Sequence, residues 1–233
     1  MKIMTDWISF WDTQHSIYVN ARHRDVHYRG LAEDLLHYVP SPDAVVLDYG
    51  CGEALYAGVV AAAARRLILV EAPPGVVAAL TARFAAEPRI EIITPDRLAE
   101  QPDHGVDLIV LHSVAQYLSA AAFAALLAQF RRLLRPGGLL IVGDVIPPDL
   151  SPLADVLSLL RFARTQGFLG AALIGLARTL ASDYARLRMT LGFARYDAPA
   201  MLAKLAAAGF SGARAASNIG HNQRRMTFLA RPV

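Results

Sequence analysis

The chain is short of several things, and each shortage narrows what it can be. It has a single cysteine, Cys51, so no intramolecular disulfide can form within its 233 residues. No uninterrupted apolar run reaches the ~20 residues of a membrane span, although 55% of the residues are hydrophobic, which excludes disorder. The segment Met1-Lys2-Ile3-Met4-Thr5-Asp6 holds no apolar signal core, and together with the lone cysteine this predicts a cytoplasmic protein. There is no poly-lysine tract, repeat or low-complexity linker, and the formal charge is only +3, so nucleic acid is not an expected partner. His23 and His27 share a helical face without the glutamate of an H-E-x-x-H pair between them, and no metal site is expected.

What is present is organised around Val45-Val46-Leu47-Asp48-Tyr49-Gly50-Cys51-Gly52-Glu53-Ala54, an apolar run that ends in an acid and a glycine pair. The pattern predicts a strand, a tight loop and a helix, with the glycines letting a ligand lie against the main chain at the helix N-terminus. A dinucleotide loop of the G-x-G-x-x-G kind wants a small third residue, and Leu55 stands there instead. Asp48 adds a carboxylate where a diphosphate would be repelled and an ammonium group attracted.

Further along, Leu67-Ile68-Leu69-Val70-Glu71 reads as a buried second strand ending in an acid, spaced from Gly52 so that a βαβ unit brings the carboxylate to a ribose. Its two oxygens are suited to the hydroxyls of a ribose diol. Ile90-Glu91-Ile92-Ile93 reads as a third strand, followed by Thr94-Pro95-Asp96-Arg97. Asp107 to Leu111 is a fourth, followed by His112-Ser113-Val114-Ala115-Gln116-Tyr117-Leu118, and Leu139 to Asp144 is a fifth after Arg135-Pro136-Gly137-Gly138. Helices are predicted over Gly30 to Tyr38, over Leu55 to Arg66 and from Asp197 to Gly209. Strands over Ala213 to Ile219 and Arg225 to Ala230 close the chain as a hairpin.

These motifs, in this order, resemble the class I S-adenosylmethionine-dependent methyltransferases: D-x-G-x-G at Asp48 to Gly52, the D-x-I/V strand at Asp107, and L-x-P-G-G-x-L at Leu134 to Leu140. The resemblance covers Val45 to Asp144 by motif and Pro199 to Val233 by architecture. It implies an α/β fold with a doubly wound, mostly parallel seven-stranded sheet, an antiparallel last strand and S-adenosylmethionine as cofactor. It also implies that the backbone of Gly50, Cys51 and Gly52 meets the amino-acid part of the cofactor, with Asp48 assisting. Glu71 would hold the ribose, Ala72, Asp96 and Arg97 would flank the adenine, and His112 would lie under the sulfonium, where it is the candidate general base. Cys51 is read as a small filler, and Asp96 reads equally well as a turn aspartate. No D/N-P-P-Y/F motif of amino-directed nucleic-acid methyltransferases follows the fourth strand. A nicotinamide-dependent oxidoreductase and a non-catalytic interaction module are the alternatives.

Residues 1–233 are expected to form one domain, with 1–29 as an aromatic, histidine-rich arm or lid and 149–195 as a helical cap inserted after the fifth strand. The cap carries two apolar stripes, Leu153-Val156-Leu157-Leu160 and Leu169-Ala172-Leu173-Leu176-Leu180, and between Ser151 and Arg195 six arginines face two acids. That composition suits a small-molecule or lipid-like acceptor of acidic or amphipathic character, with Tyr184, Arg188 and His221 as candidate substrate residues. Contact of the cap with a membrane surface, or with a second copy of the chain in a homodimer, is its other expected use.

Overall fold

The computed structural model describes Asp12 and residues 18–179 and 193–233. Among these, seven strands form one sheet: β1 (Val45–Tyr49), β2 (Arg66–Val70), β3 (Ile90–Ile93), β4 (Val106–His112), β5 (Leu134–Val145), β6 (Phe210–Arg214) and β7 (Met226–Pro232). Their order across the sheet is β3-β2-β1-β4-β5-β7-β6. β1 to β5 run parallel, and β7 lies antiparallel between β5 and β6. The central strands are near-continuous apolar runs because both faces are covered. Val45 and Leu47 enter one core layer with Ile109 and Leu111, while Val46 enters the other with Leu108 and Val110.

Seven helices of the described residues flank the sheet: α1 (Ala21–Leu36), α2 (Ala57–Ala62), α3 (Pro74–Arg83), α4 (Ala120–Leu133), α5 (Pro152–Gln166), α6 (Leu169–Thr179) and α7 (Ala198–Ala207). α1, α2 and α3 share one core with the sheet, through Ala32, Leu35, Val60, Ala61 and Leu80. α4 and α7 share the other, through Phe123, Phe130, Met201 and Leu205. α5 and α6 stand between β5 and α7 and turn at Gly167, whose φ of +79° suits a glycine C-cap.

Three boundaries differ from the sequence reading. α1 begins at Ala21, within the stretch taken as arm, with the Asn20 side chain accepting from His23 N–H at 2.8 Å as its N-cap. Its buried face mixes His23 and Tyr28 with Val26, Ala32 and Leu35, so the apolar period is hidden. α2 is far shorter than Leu55 to Arg66, because Ala54 keeps the loop left-handed at φ +44° and Ala44 O draws Arg65 and Arg66 N–H toward the sheet. β6 runs from Phe210 to Arg214 and stops well before Ile219. Beyond it the backbone is held by side chains instead, with Asn218 N–H on Gln223 Oε1 and Ile219 N–H on Thr227 Oγ1.

Candidate cofactor and acceptor site

β1, β2 and β4 end side by side, at the point where the strand order reverses and doubly wound sheets bind their ligands. The loop after β1 is fixed from below and from the side. Gly50 N–H donates to Val70 O at 2.8 Å, and Gly52 N–H donates to Glu71 Oε1 at 2.6 Å. Ala72 N–H donates to the other Glu71 oxygen at 3.0 Å, so the carboxylate ties the loop to the end of β2. Each oxygen keeps a lone pair, which leaves the carboxylate able to accept two hydroxyls.

Gly50 and Gly52 have φ of +72° and +60°, a region that favours glycine, and neither has room for a side chain. A Cβ on Gly50 would lie 2.4 Å from Val114 Cγ2, and one on Gly52 would lie 2.7 Å from the Tyr28 hydroxyl. Beside the loop, burial, with the Glu71 charge adding to it, pushes the Asp48 carboxyl up to about 7. Burial also raises Glu71, against the two amide hydrogen bonds. Two neighbouring half-buried carboxylates suit a positively charged ligand group. Cys51 is buried and its thiol is pushed up by burial and then by Asp48, so it packs and does not act as a nucleophile.

Asp96 and Arg97 lie in a 3₁₀ turn (Pro95–Glu100) after β3, and both are exposed. A hydrogen bond from Thr94 lowers the Asp96 carboxyl, and Arg97 Nε donates to Glu100 at 2.9 Å. They follow β3 at the same edge of the sheet. Tyr184 and Arg188 lie outside the described residues.

The ends of β4 and β5 carry a polar chain that sequence reasoning did not bring together. His112 ends β4 and is buried. Its Nε2 lies 3.2 Å from Ile219 O and its Nδ1 3.2 Å from Ser113 Oγ. Both ring nitrogens thus have partners within the fold, and the ring bridges β4 and the β6–β7 connection. Gly143 makes room for the ring, since a Cβ there would lie 2.7 Å from His112 Cδ2.

Ser113 Oγ donates to Asp144 Oδ2 at 2.6 Å, and Arg225 Nη1 donates to the same oxygen at 2.6 Å. Arg225 also pairs with Asp155 of α5 at 3.3 Å, and Asn222 Nδ2 donates to Asp155 at 2.7 Å. Burial works against the Asp144 charge, but Arg225, His112 and Ser113 outweigh it and hold its carboxyl below the usual range. Ser113 and Asp144 sit at φ +57° and +62°, sparsely populated angles for such residues, which persist where the surroundings over-determine them. The sequence signal was slight: a serine after His112 and an aspartate after Gly143, at the ends of adjacent parallel strands.

An aromatic and histidine cluster roofs this edge. His23 stacks on Phe168 at 4.8 Å, His221 stacks on Phe162 at 4.6 Å, and Tyr18 meets His23 and His27 edgewise or tilted, at 5.3 Å in each case. Burial first, then the neighbouring histidines, push His27 down to about 3 and His23 to about 4, and burial lowers His221 against the pull of Asp144. The imidazoles therefore face one another uncharged at neutral pH. Among the described residues no three His, Cys, Asp or Glu side chains are grouped to hold a metal.

A seven-stranded sheet with one reversed strand and a glycine loop tied to an acidic residue at the end of β2 defines a Rossmann-like nucleoside-cofactor domain. Residues 46–138 match a family model described as a methyltransferase domain. A probable S-adenosylmethionine-dependent methyltransferase of Mycolicibacterium smegmatis is 36% identical over 112 residues, covering 47% of this chain and 41% of that one. The chain thus spans less than half the length of that curated relative. Magnesium protoporphyrin IX methyltransferase from Synechocystis PCC 6803, solved with its cofactor bound, has the same fold at 13% identity and a TM-score of 0.64, covering 100% of this chain and 98% of that one. The pyocyanin biosynthetic protein PhzM matches at 15% identity and a TM-score of 0.60, over 88% of this chain and 55% of that one. Residues 46–138 thus match a methyltransferase domain, within a fold shared with solved methyltransferases, and S-adenosylmethionine is the cofactor of the relatives that carry it. No helix of the described residues is long and apolar enough to cross a membrane.

Proposed function

We propose that the protein transfers the methyl group of S-adenosylmethionine to a small or lipid-like amphipathic acceptor. The observation that carries this reading is one shared sheet edge. The cofactor loop with Glu71 stands at the ends of β1 and β2, and the ordered Ser113–Asp144 pair stands next to it at the ends of β4 and β5. Glu71 would hold the ribose, the Gly50–Gly52 backbone and Asp48 the amino-acid end, and Ala72 the side of the adenine. That cofactor supplies a methyl group on a positively charged sulfur, open to in-line displacement by a lone pair of the acceptor. The chain's task is then to align the acceptor and exclude water.

The roof fits an amphipathic acceptor better than a strongly acidic one. Phe162, Phe168, Tyr18 and the uncharged His23, His27 and His221 offer apolar faces with neutral hydrogen-bonding groups. Among the described residues, Arg225 is held by Asp144 and Asp155, and Arg195 donates to Pro148 O and Leu150 O at 3.1 and 3.2 Å. The test is incubation of the protein with methyl-labelled cofactor and cell extract, followed by separation into small-molecule, lipid and macromolecular fractions. Label is expected in the small-molecule or lipid fraction. Label mainly in RNA or protein, or none in any fraction despite cofactor binding, would overturn the reading.

A further inference from the structure

We propose that α5 and α6 rest their exposed face on an anionic lipid bilayer, lying in its interface without crossing it. The surface stands on geometry and charge alone; that it brings a lipid-like acceptor to the site rests on the methyltransferase reading.

Exposed apolar surface is concentrated on this helix pair. Among the described residues, the large apolar side chains open to solvent are Leu153 and Leu157 of α5, Leu169, Leu173 and Ile174 of α6, and two set apart from them, Val59 on α2 and Val233 at the chain end. Their exposure on the pair runs from 37% at Leu169 to 66% at Leu153. Apolar side chains scattered singly over a surface are ordinary, whereas a group of them on two adjoining helices marks a docking face.

Helical spacing gives each member of the pair one outward side. Leu153, Leu157 and Arg161 follow one another at four-residue intervals, with Arg164 beside them, and all four are exposed. Leu169, Leu173 and Ala177 do the same on α6, with Gly170 and Ile174 beside them. The other side of each helix faces the protein. Ala163, Ala172 and the intervening Phe168 pack with Val26 of α1, and Phe162 stacks on His221 at 4.6 Å.

Charge decides what covers the outward face. Asp155 is the one acid between Pro152 and Thr179, and it turns inward, accepting from Asn222 Nδ2 at 2.7 Å and pairing with Arg225 at 3.3 Å. Arg161 and Arg164 stay on the outward side, and among the described residues they meet no acid. A second copy of the chain would bring the same leucines but only more cations. A bilayer rich in anionic headgroups offers both complements, acyl chains for the leucines and phosphates for the guanidinium groups. Neither helix is long and apolar enough to span it, so the pair lies along the surface. Because Phe162 and Phe168 of the same pair roof the acceptor site, docking places that site directly behind the membrane surface.

The test is co-sedimentation of the full chain with vesicles of phosphatidylcholine alone and of phosphatidylcholine mixed with phosphatidylglycerol, at low and high salt. Binding is expected to the anionic vesicles only, weakened about tenfold or more by high salt or by Arg161→Gln combined with Arg164→Gln. Leu157→Gln combined with Leu173→Gln should weaken it about as much at low salt, because it removes the apolar half of the contact. Melting temperatures matching the parent's are expected for both double variants, since all four positions are exposed. Equal binding to both kinds of vesicle, binding to neither, or binding untouched by either double variant would overturn the surface. So would a dimer in analytical ultracentrifugation that the leucine variants dissolve, since the face would then belong to a second copy. Vesicle binding is read without cofactor, so a chain that docks but passes no label to lipids or small molecules keeps the surface and loses the acceptor reading.

Discussion

Asp48 and Glu71 end neighbouring parallel strands, and the pair makes the ligand-free loop sensitive to protons. The Asp48 carboxyl, pushed up to about 7, holds its proton in the folded chain at pH values where the unfolded chain has lost it. Since the folded state binds more protons between about pH 4 and 7, this group makes stability fall as pH rises through that window. Asp48→Asn should remove the slope and gain up to about 4 kcal/mol over the parent at pH 8, with little difference at pH 4. Urea unfolding of both chains at the two pH values checks it; a difference independent of pH would show that the raised carboxyl is not there. The residues of the loop were legible in the sequence because glycines and acids at a strand end have few other uses. Tyr28, Ser113 and Asp144 were not. Nothing local marks a tyrosine that reaches a loop 25 residues away, and a positive φ on serine or aspartate is imposed by packing, not by propensity.

At the scale of elements, the α5–α6 pair is the part whose stability is most its own. α5 is capped by Ser151, whose side chain accepts from Ala154 N–H at 3.2 Å, and Pro152 occupies the first turn. α5 and α6 meet α1 through a small cluster, Val26, Ala163, Phe168 and Ala172, and not through the main cores. Ser151→Ala should therefore cost about 0.5–2 kcal/mol locally. Hydrogen exchange should speed up in α5 and α6 and remain unchanged in β1 and β4; a uniform acceleration across the sheet would contradict this separation. The two stripes announced these helices, yet part of the apolar surface faces outward. Leu153, Leu157, Leu173 and Ile174 are all exposed. Periodicity tells which residues share a face and not what that face meets. The buried face of α1 taught the converse, since a helix can dock through histidine and tyrosine and leave no apolar period to read.

For the whole molecule, acid is the expected weakness. His23, His27 and His221 are all lowered by burial, so the unfolded chain takes up protons below about pH 6.5 that the folded chain refuses. Their contribution is intact above that value and is lost as pH falls toward 3 to 4, the range of the two values given for His27 and His23. Asp48 works in the opposite direction over much of the same window, but it is one group against three. The melting temperature should fall on going from pH 7 to pH 4, and His27→Phe should recover ~3 kcal/mol at pH 4 relative to its difference at pH 7. A variant whose loss with acid matched the parent's would show that His27 is not kept neutral by the fold.

The position of β7 has a consequence for how the sheet is made. A ribosome delivers β6 before β7, yet β6 touches the sheet only through β7, which slots between it and β5. Until Met226 to Pro232 have emerged, β5 is an open edge of the growing protein and β6 has nothing to pair with. Arg225, immediately before β7, arrives equally late, and so does the charge that Asp144 and Asp155 are waiting for. The polar edge beside the cofactor loop therefore sets only after β1 to β6 have all emerged. A nascent chain stalled before this strand would carry the methyltransferase loop but present an adhesive edge to any neighbour on the same message.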